Sequence, residues 1–490
     1  MLCFSNCESL KTLNLYCNLP VYSNYNTSAF YNCSNIQNIT FGSNVTNIGK
    51  NNLHKLSSLK NCTFNGNIPS FEFSISALDE IHFNGTLKEW MSIAKNIVTK
   101  CGGYNLYIND VELTDLDITD EEITEIPEYA FYKCKSLNKF FMRTDKLETI
   151  GKYAFYECSE LWNINLKEGI KTIGDLAFYG CTILNKDNGG MNIPSTIENF
   201  GKHIFYGCSN LNDVRVKCKL PEASNENDSV FYGAEINIIA FEQDIPAYAL
   251  YNHQELKYVS MTSTVTKIGD YAFYNCKNLQ LLKPDPEFFL PIGLESIGNY
   301  SFQKCSSLTA ITLPRTITSI GKNAFDSCTN LETINLKCNM PSFAKNTEAP
   351  FTGCEKLENL YISEKSDYTM VNVTTIGDYA FYNTNLKEIE FPSSVKYFGT
   401  SSFNSCSSLK TIILHSVPER ISQNAFRYVS GELKFTSPTT LDFFNKAVYY
   451  EDPDTSKTRN LQGSVYIDDY SYKIEETLGK VINTTYIRLR

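Results

Sequence analysis

One stretch limits what this chain can fold into. Ile268-Gly269-Asp270-Tyr271-Ala272-Phe273-Tyr274-Asn275-Cys276 returns as Ile150-Gly151-Lys152-Tyr153-Ala154-Phe155-Tyr156-Glu157-Cys158, and again as Ile376-Gly377-Asp378-Tyr379-Ala380-Phe381-Tyr382-Asn383. With the Phe of the Ala-Phe pair as a phase marker, the copies fall at Phe4, Phe30, Phe131, Phe155, Phe178, Phe205, Phe231, Phe273, Phe302, Phe325, Phe351, Phe381, Phe403 and Phe426. Leu53 and Leu250 hold the same place in two more copies. The gaps are mostly 22 to 30 residues, and 23 is the commonest. Self-similarity at such a period predicts a solenoid in which each copy is one coil.

The full pattern is Ile-Gly-x-x-Ala-Phe-x-x-Cys-x-x-Leu-x-x-Ile-x-Leu. Its last part, as in Leu331-Glu332-Thr333-Ile334-Asn335-Leu336, alternates apolar and polar residues, which predicts a short strand with one buried face. The Gly after Ile suits a tight turn. A Pro often follows the strand, as at Pro221, Pro314, Pro341 and Pro392, and ends the ladder by removing a donor. One coil is too small to bury its Phe, Leu and Ile alone. Stacked coils line these side chains into a continuous core and pair their strands as a parallel sheet. About seventeen coils at ~4.8 Å spacing would give a sheet on the order of 80 Å long, a span that suits a protein or glycan better than a small molecule.

The pattern resembles the BspA-like (Treponema-type) leucine-rich repeats, from Met1 to about residue 430. The resemblance implies a β-rich leucine-rich-repeat superhelix with short parallel strands. It also implies a surface or secreted location and a role in adhesion to protein or glycan on a host or neighbouring cell. The family brings no residue-level binding motif with it.

The rhythm divides the chain. Residues 1–64 hold regular repeats. Residues 65–128 break them: Gly85-Thr86-Leu87-Lys88-Glu89-Trp90-Met91-Ser92-Ile93-Ala94 has helical spacing, with Leu87, Trp90, Met91 and Ala94 on one side and Thr86 placed to cap it. Tyr104–Ile108, Asn109-Asp110 and Val111–Leu113 predict a hairpin. This segment resembles an insert seen within BspA-like proteins and is read as one elaborated coil; a domain boundary near residue 100 is the alternative. Residues 129–430 return to repeats, with insertions at 185–192, 222–229, 283–291 and 342–349. Residues 431–490 lose the pattern. Strands are expected at Val465–Ile467, Tyr472–Ile474 and Thr485–Leu489, with a short helix at Leu441–Ala447. A C-terminal cap is the first reading of this segment and an attachment module the second. The chain starts in mid-pattern with no basic and apolar leader, which favours a piece of a longer protein.

Composition narrows the function. Net charge is -10 without a Lys/Arg-rich run, which argues against nucleic acid and anionic membrane as partners. No apolar run is long enough to span a bilayer. Of the 17 cysteines, eleven stand three residues after the marker, where other copies place Leu56, Ala234, Thr384, Val429 or His253. Small or apolar substitutes point to a buried thiol ladder rather than disulfides or metal. Cys17, Cys218 and Cys338 share a second context, each followed by x-Leu/Met-Pro with the next marker ten residues beyond the Pro, which marks a longer repeat subtype. The five His residues have no metal-binding spacing, and no Cys-x-x-Cys or phosphate-binding Gly-rich loop occurs. The acidic cluster Asp115, Asp117, Asp120, Glu121 and Glu122 lacks the spacing of a calcium loop. No catalytic, metal or cofactor residue is assigned.

The functional signal is the outward strand positions, which vary while the inward ones stay fixed, as suits an extended recognition surface. Trp162, Arg215, Tyr258 and Tyr361 are the candidate anchors, since Trp, Tyr and Arg are enriched in binding hot spots. The chain reads as a non-enzymatic binding or adhesion scaffold. A structural component docked through its C-terminal segment, and an enzyme with a site in the 65–128 insert, are the alternatives.

Overall fold

The computed structural model describes residues 4–49, 51–53, 56–70, 75, 77–186, 190–280, 290–362, 373–416, 418–422 and 424–429, and the backbone of five later strands between 432 and 473. It forms two compact units, Met1–Pro221 with Asn227–Ile236, and Asn237–Arg490 with Glu222–Glu226. Both are β-solenoids, with about 16 turns between them.

In the first unit β1 (Thr12–Leu15), β2 (Asn38–Phe41), β3 (Asn61–Asn65) and β4 (Glu80–Asn84) stack in parallel register. Two short helices follow, α1 (Leu87–Ile93) and α2 (Lys95–Val98). Next come β5 (Asn105–Ile108), β6 (Val111–Glu112) and β7 (Asp115–Ile118). The remaining strands are β8 (Glu125–Ile126), β9 (Lys139–Met142), β10 (Thr149–Ile150), β11 (Asn163–Asn165), β12 (Thr172–Ile173), β13 (Met191–Ile193), β14 (Asn199–Phe200) and β15 (Leu211–Val216). Strands of three or more residues line one side, with β7, β9 and β11 paired and β13 paired to β15. The two-residue strands β8, β10, β12 and β14 form a second parallel ladder.

The expected helix lies between two adjacent ladder strands, because β4 pairs directly with β5, and the expected hairpin is β5 with β6 at the edge of the same sheet. Thr86 caps α1 through a capping box with Glu89. Trp90, Met91 and Ala94 are buried, and the Trp90 indole donates to the Ala130 carbonyl at 3.1 Å. β5 and β6 pair antiparallel, and Asn109 and Asp110 both have positive φ (52° and 62°), as a tight hairpin turn of this hand requires.

The core is a set of ladders. Phe131, Phe155, Phe178, Phe205 and Phe231 stack with centroids 5.1–6.1 Å apart in the first unit. Phe273, Phe302, Phe325, Phe351, Phe381, Phe403 and Phe426 do the same in the second, at 5.1–5.5 Å. Burial of each ring contributes about 1.5–3 kcal/mol and each aromatic pair about 0.5–1.5 more. The cysteines do more than fill space. Cys158, Cys181 and Cys208 each donate a thiol hydrogen bond to the marker carbonyl of the preceding coil, Phe131, Phe155 and Phe178, at 3.0–3.1 Å. Cys276, Cys305, Cys328 and Cys354 repeat the contact in the second unit. All sixteen described cysteines are free thiols, and only Cys17 is exposed and Cys7 half-exposed. Desolvation raises the thiol of Cys181 to about 12, which makes the thiolate inaccessible near neutral pH.

The glycine after Ile is explained by space rather than by backbone angle. Gly174 and Gly321 lack positive φ, but a Cβ at Gly321 would lie 2.3 Å from the Asn299 nitrogen of the preceding coil. The positive-φ places are instead two and six residues after that glycine. Tyr153 (57°) and Glu157 (51°) flank the marker Phe155, and the same pair of places recurs as Tyr271 and Asn275 or Tyr300 and Lys304. Between them alternate amides leave the coil: Tyr153, Phe155 and Glu157 donate to Asp175, Ala177 and Tyr179 of the next coil. The Asp after Gly is a second staple, with Asp270 accepting from the Asn299 amide at 2.8 Å. The longer repeat subtype is present three times, each with a 3-10 turn starting five residues after its Pro, at Tyr25–Thr27, Glu226–Asp228 and Asn346–Glu348.

In the second unit the strands from Ala310–Leu313 to Thr411–Leu414 continue in parallel to Glu432–Phe435 and Ser464–Ile467, and Tyr470–Lys473 then pairs antiparallel. The strands expected at Val465–Ile467 and, in part, at Tyr472–Ile474 are thus present. The helix expected at Leu441–Ala447 and the strand at Thr485–Leu489 lie outside the described residues.

Candidate functional site

On the strand side of the first unit Tyr107 stands outward on β5, and two further aromatics, Phe141 and Trp162, stand at β9 and just before β11. Register places Asp115, Lys139 and Asn163 in one outward row and Asp117, Phe141 and Asn165 in the next. Between these rows Leu116, Phe140 and Ile164 point inward and are buried. The strand period of two therefore leaves Lys139 and Phe141 half-exposed on the outside.

Trp162 stands one residue before β11. Its amide donates to the Asn138 carbonyl at 2.9 Å and its carbonyl accepts from the Asn185 amide at 2.7 Å, so its backbone is tied to both neighbouring coils. Lys139 Nζ lies 5.2 Å from the Trp162 ring centroid and 3.7 Å from Asp115. Arg143 Nε donates to both carboxylate oxygens of Asp117, at 2.9 and 3.1 Å, and its guanidinium lies 5.0 Å from the Phe141 centroid. At this exposure each ion pair adds only about 0.2–1 kcal/mol to stability. Their larger effect is to hold two aromatics and two cations in fixed positions.

The other sequence candidates stand apart. Arg215 is exposed on β15, in register with Asn192. In the second unit Tyr258 is half-buried beside Ile238, which is 40% exposed. Tyr361 is 58% exposed on the strand Asn359–Ile362, in register with Asn335. Trp162 alone joins a cluster, and its partners Lys139, Phe141 and Arg143 were missed by the sequence reading. The signal for Phe141 was available: it is an aromatic residue at an outward place in Leu137-Asn138-Lys139-Phe140-Phe141-Met142.

The opposite turns carry a tyrosine ladder. Tyr132, Tyr156, Tyr179 and Tyr206 stack at 4.7–5.1 Å, and Tyr129 and Tyr153 stack at 4.8 Å beside them. Because these rings cover one another's faces, they present mainly edges to solvent. Stacking, at about 0.5–1.5 kcal/mol per pair, offsets the cost of about 1–2 kcal/mol for holding Tyr129 or Tyr153 at positive φ. Desolvation raises the Tyr129 phenol above its ordinary value.

Among the described residues no group of three or more His, Cys, Asp or Glu side chains is disposed to hold a metal ion, and no helix is long and apolar enough to cross a membrane. The insert's polar groups serve its own packing: Glu89 caps α1, Lys88 pairs with Glu122 and Lys95 with Glu128.

No curated protein matches the chain. A leucine-rich repeat protein from Bacteroides ovatus is similar at 22% identity over 72% of this chain and 92% of that one, with a TM-score of 0.44. A leucine-rich cell surface protein from Faecalibacterium prausnitzii is similar at 19% identity over 71% and 87%, with a TM-score of 0.30. The leucine-rich repeat protein of T. pallidum is similar at 22% over 45% and 78%, with a TM-score of 0.23. The family model described as BspA type leucine-rich repeat region matches residues 1–102, 101–237, 185–286, 285–371 and 368–478. With almost every residue inside a match, and with the stacked Phe and Cys ladders that the repeat builds, the chain belongs to the BspA-type leucine-rich repeat proteins.

Proposed function

We propose that the chain is a non-enzymatic recognition scaffold that binds a protein ligand through the strand side of its coils, with glycan as the second ligand class. Phe141, Trp162 and Arg215 are its anchors in the first unit, and Tyr258 and Tyr361 in the second. The observation that carries this reading is the Trp162 cluster. Two aromatics stand outward on a ladder whose inward places are filled, each with a cation held over its ring by a carboxylate. Such pre-ordered aromatic and Arg groups are the usual centre of a binding surface. An adhesive role at a cell surface, or after secretion, is supported by family membership. The strands from Glu432 onward serve as a cap on the last coils.

The test has two parts. Intact source cells are treated with protease and the released peptides identified; peptides of this chain in that fraction support surface display, and protection until lysis removes the adhesive reading. The purified chain is then immobilised and its retention of cells and extracellular matrix measured. The double substitution Phe141→Ala with Trp162→Ala is expected to cut retention at least about tenfold, the effect of losing one hot-spot residue of about 2 kcal/mol or more. Retention unchanged by that substitution overturns the assignment of the strand side.

A further inference from the structure

We propose that the strand side of the first unit is self-complementary and pairs with a second copy of the chain. The inference rests on the reading of that side as a protein-binding surface and names the partner. Its outward groups are sorted by charge. From β4 to β7, including the hairpin tip, they include Asp79, which Lys60 of the preceding coil pairs at 2.6 Å, and Glu80, Asp110, Glu112, Asp115 and Asp117. From β9 to β15 and the residues directly after those strands they include Lys139, Arg143, Lys167, Arg215 and Lys217. Three carboxylates interrupt the basic half, of which Asp145 is paired with Lys146 at 3.8 Å. Asp213 is half-buried, and Glu168 is occupied by the Ser195 hydroxyl and the Ser195 and Thr196 amides. The aromatic pair Phe141 and Trp162 lies next to the line where the sign changes, and the ion pairs Lys139–Asp115 and Arg143–Asp117 cross that line.

This order, acidic then aromatic then basic, fits one partner by construction. A two-fold axis near the aromatic pair lays the acidic half of one copy on the basic half of the other, and does so twice. The opposed charges set the register, and the aromatics fill the dry centre. The sorting stands out against the whole chain, whose net charge of -10 gives no reason for a basic half. On the acidic flank His82 is stacked on Tyr107 at 4.4 Å, with Glu80 and Asp110 at 3.1 and 3.5 Å from its ring nitrogens, so the hairpin tip is held against β4 and does not project freely over the face.

Sedimentation velocity of the full chain, over a rising concentration series at low ionic strength, reads the pairing. Two variants reverse one half each: Arg215→Glu with Lys217→Glu, and Asp110→Lys with Glu112→Lys. Either alone is expected to self-associate about tenfold or more weakly than the natural chain. An equimolar mixture of the two is expected to restore pairing, because both contacts are again between opposite charges. Circular dichroism of each variant checks that the fold is kept, and the rescue in the mixture is a second check. A natural chain that stays monomeric throughout overturns the proposal, and so does a mixture no more associated than its components. If pairing fails in this way while Phe141→Ala with Trp162→Ala still abolishes retention of cells or matrix, the self-complementary partner is wrong and the binding surface stands.

Discussion

Substitution of Gly321 by Ala isolates the force that sets coil spacing. The added Cβ would lie 2.3 Å from Asn299 N, 2.5 Å from the Gly298 carbonyl carbon and 2.6 Å from Asn299 Cα. Ordinary contacts are about 3.5–4.0 Å, so the coils must part by roughly 1 Å at this point. That stretches the Gly321 amide bond to the Ile297 carbonyl (2.8 Å), the Lys322 amide bond to Asn299 Oδ1 (3.0 Å) and the Tyr300 amide bond to the Lys322 carbonyl (2.9 Å). Loss of two such bonds costs about 1 kcal/mol each, and loosened packing costs about 1–2 more. Reduced freedom of the unfolded chain returns about 0.4–1 kcal/mol. The net is a loss of about 2–3.5 kcal/mol. Gly353 is the control. It has φ 71°, at a place where Asn275, Lys304 and Ser327 also have positive φ, and its nearest neighbour is the Ser327 hydroxyl at 3.2 Å. Gly353→Ala should cost about 1 kcal/mol. Urea unfolding of both variants, with hydrogen exchange on the flanking coils, measures the two losses, since a solenoid can open locally. Gly321→Ala costing no more than Gly353→Ala would refute the argument that space, not backbone angle, demands the first glycine.

The thiol ladder predicts alkali sensitivity. An unfolded cysteine ionises near 9, whereas burial raises Cys181 to about 12 and Cys338 to about 12. Between those values the unfolded chain holds fewer protons than the folded one, so stability is full below about pH 9 and falls as pH rises toward 12, by about 1.4 kcal/mol per pH unit for each such thiol. Denaturant midpoints flat across that range would contradict the ladder. The same burial predicts that, of the described cysteines, only Cys7 and Cys17 alkylate in the native chain while all do so after unfolding, as peptide mass spectrometry can read. Trp90→Ala should cost about 3–5 kcal/mol, because the ring is fully buried and its indole satisfies the Ala130 carbonyl. A loss under about 1 kcal/mol in thermal or urea unfolding would mean the insert is not part of the first unit's core.

The ladders were legible in the sequence because every coil repeats the same burial problem. Phe at the marker, Leu and Ile at alternate places and Cys in a buried slot each report one position of a stack. Three features were hidden. The thiol bond to a marker carbonyl needs the distance between coils. The role of Gly321 needs the neighbouring backbone. The positive φ of Tyr153 runs against the preference of a bulky residue and becomes intelligible only once Tyr129 is seen stacked on it. The candidate site divided in the same way. An outward Trp162 could be read from the variable places of Leu-x-x-Ile-x-Leu, but the Lys139 cation over its ring comes from the preceding coil, and the carboxylates that hold Lys139 and Arg143 come from the coil before that, so no spacing within one copy brings the cluster together.

The central claim is that ligands meet the strand side and not the tyrosine-lined turns. Photo-crosslinking tests it most directly, with p-benzoylphenylalanine placed singly at exposed Asn165 on the strand side and at exposed Lys152 on the turn side, and the purified chain irradiated on intact source cells. The account predicts an adduct from position 165 that disappears when Trp162→Ala is added, and none from position 152. An adduct from position 152 alone, or one from position 165 that survives the loss of Trp162, contradicts it.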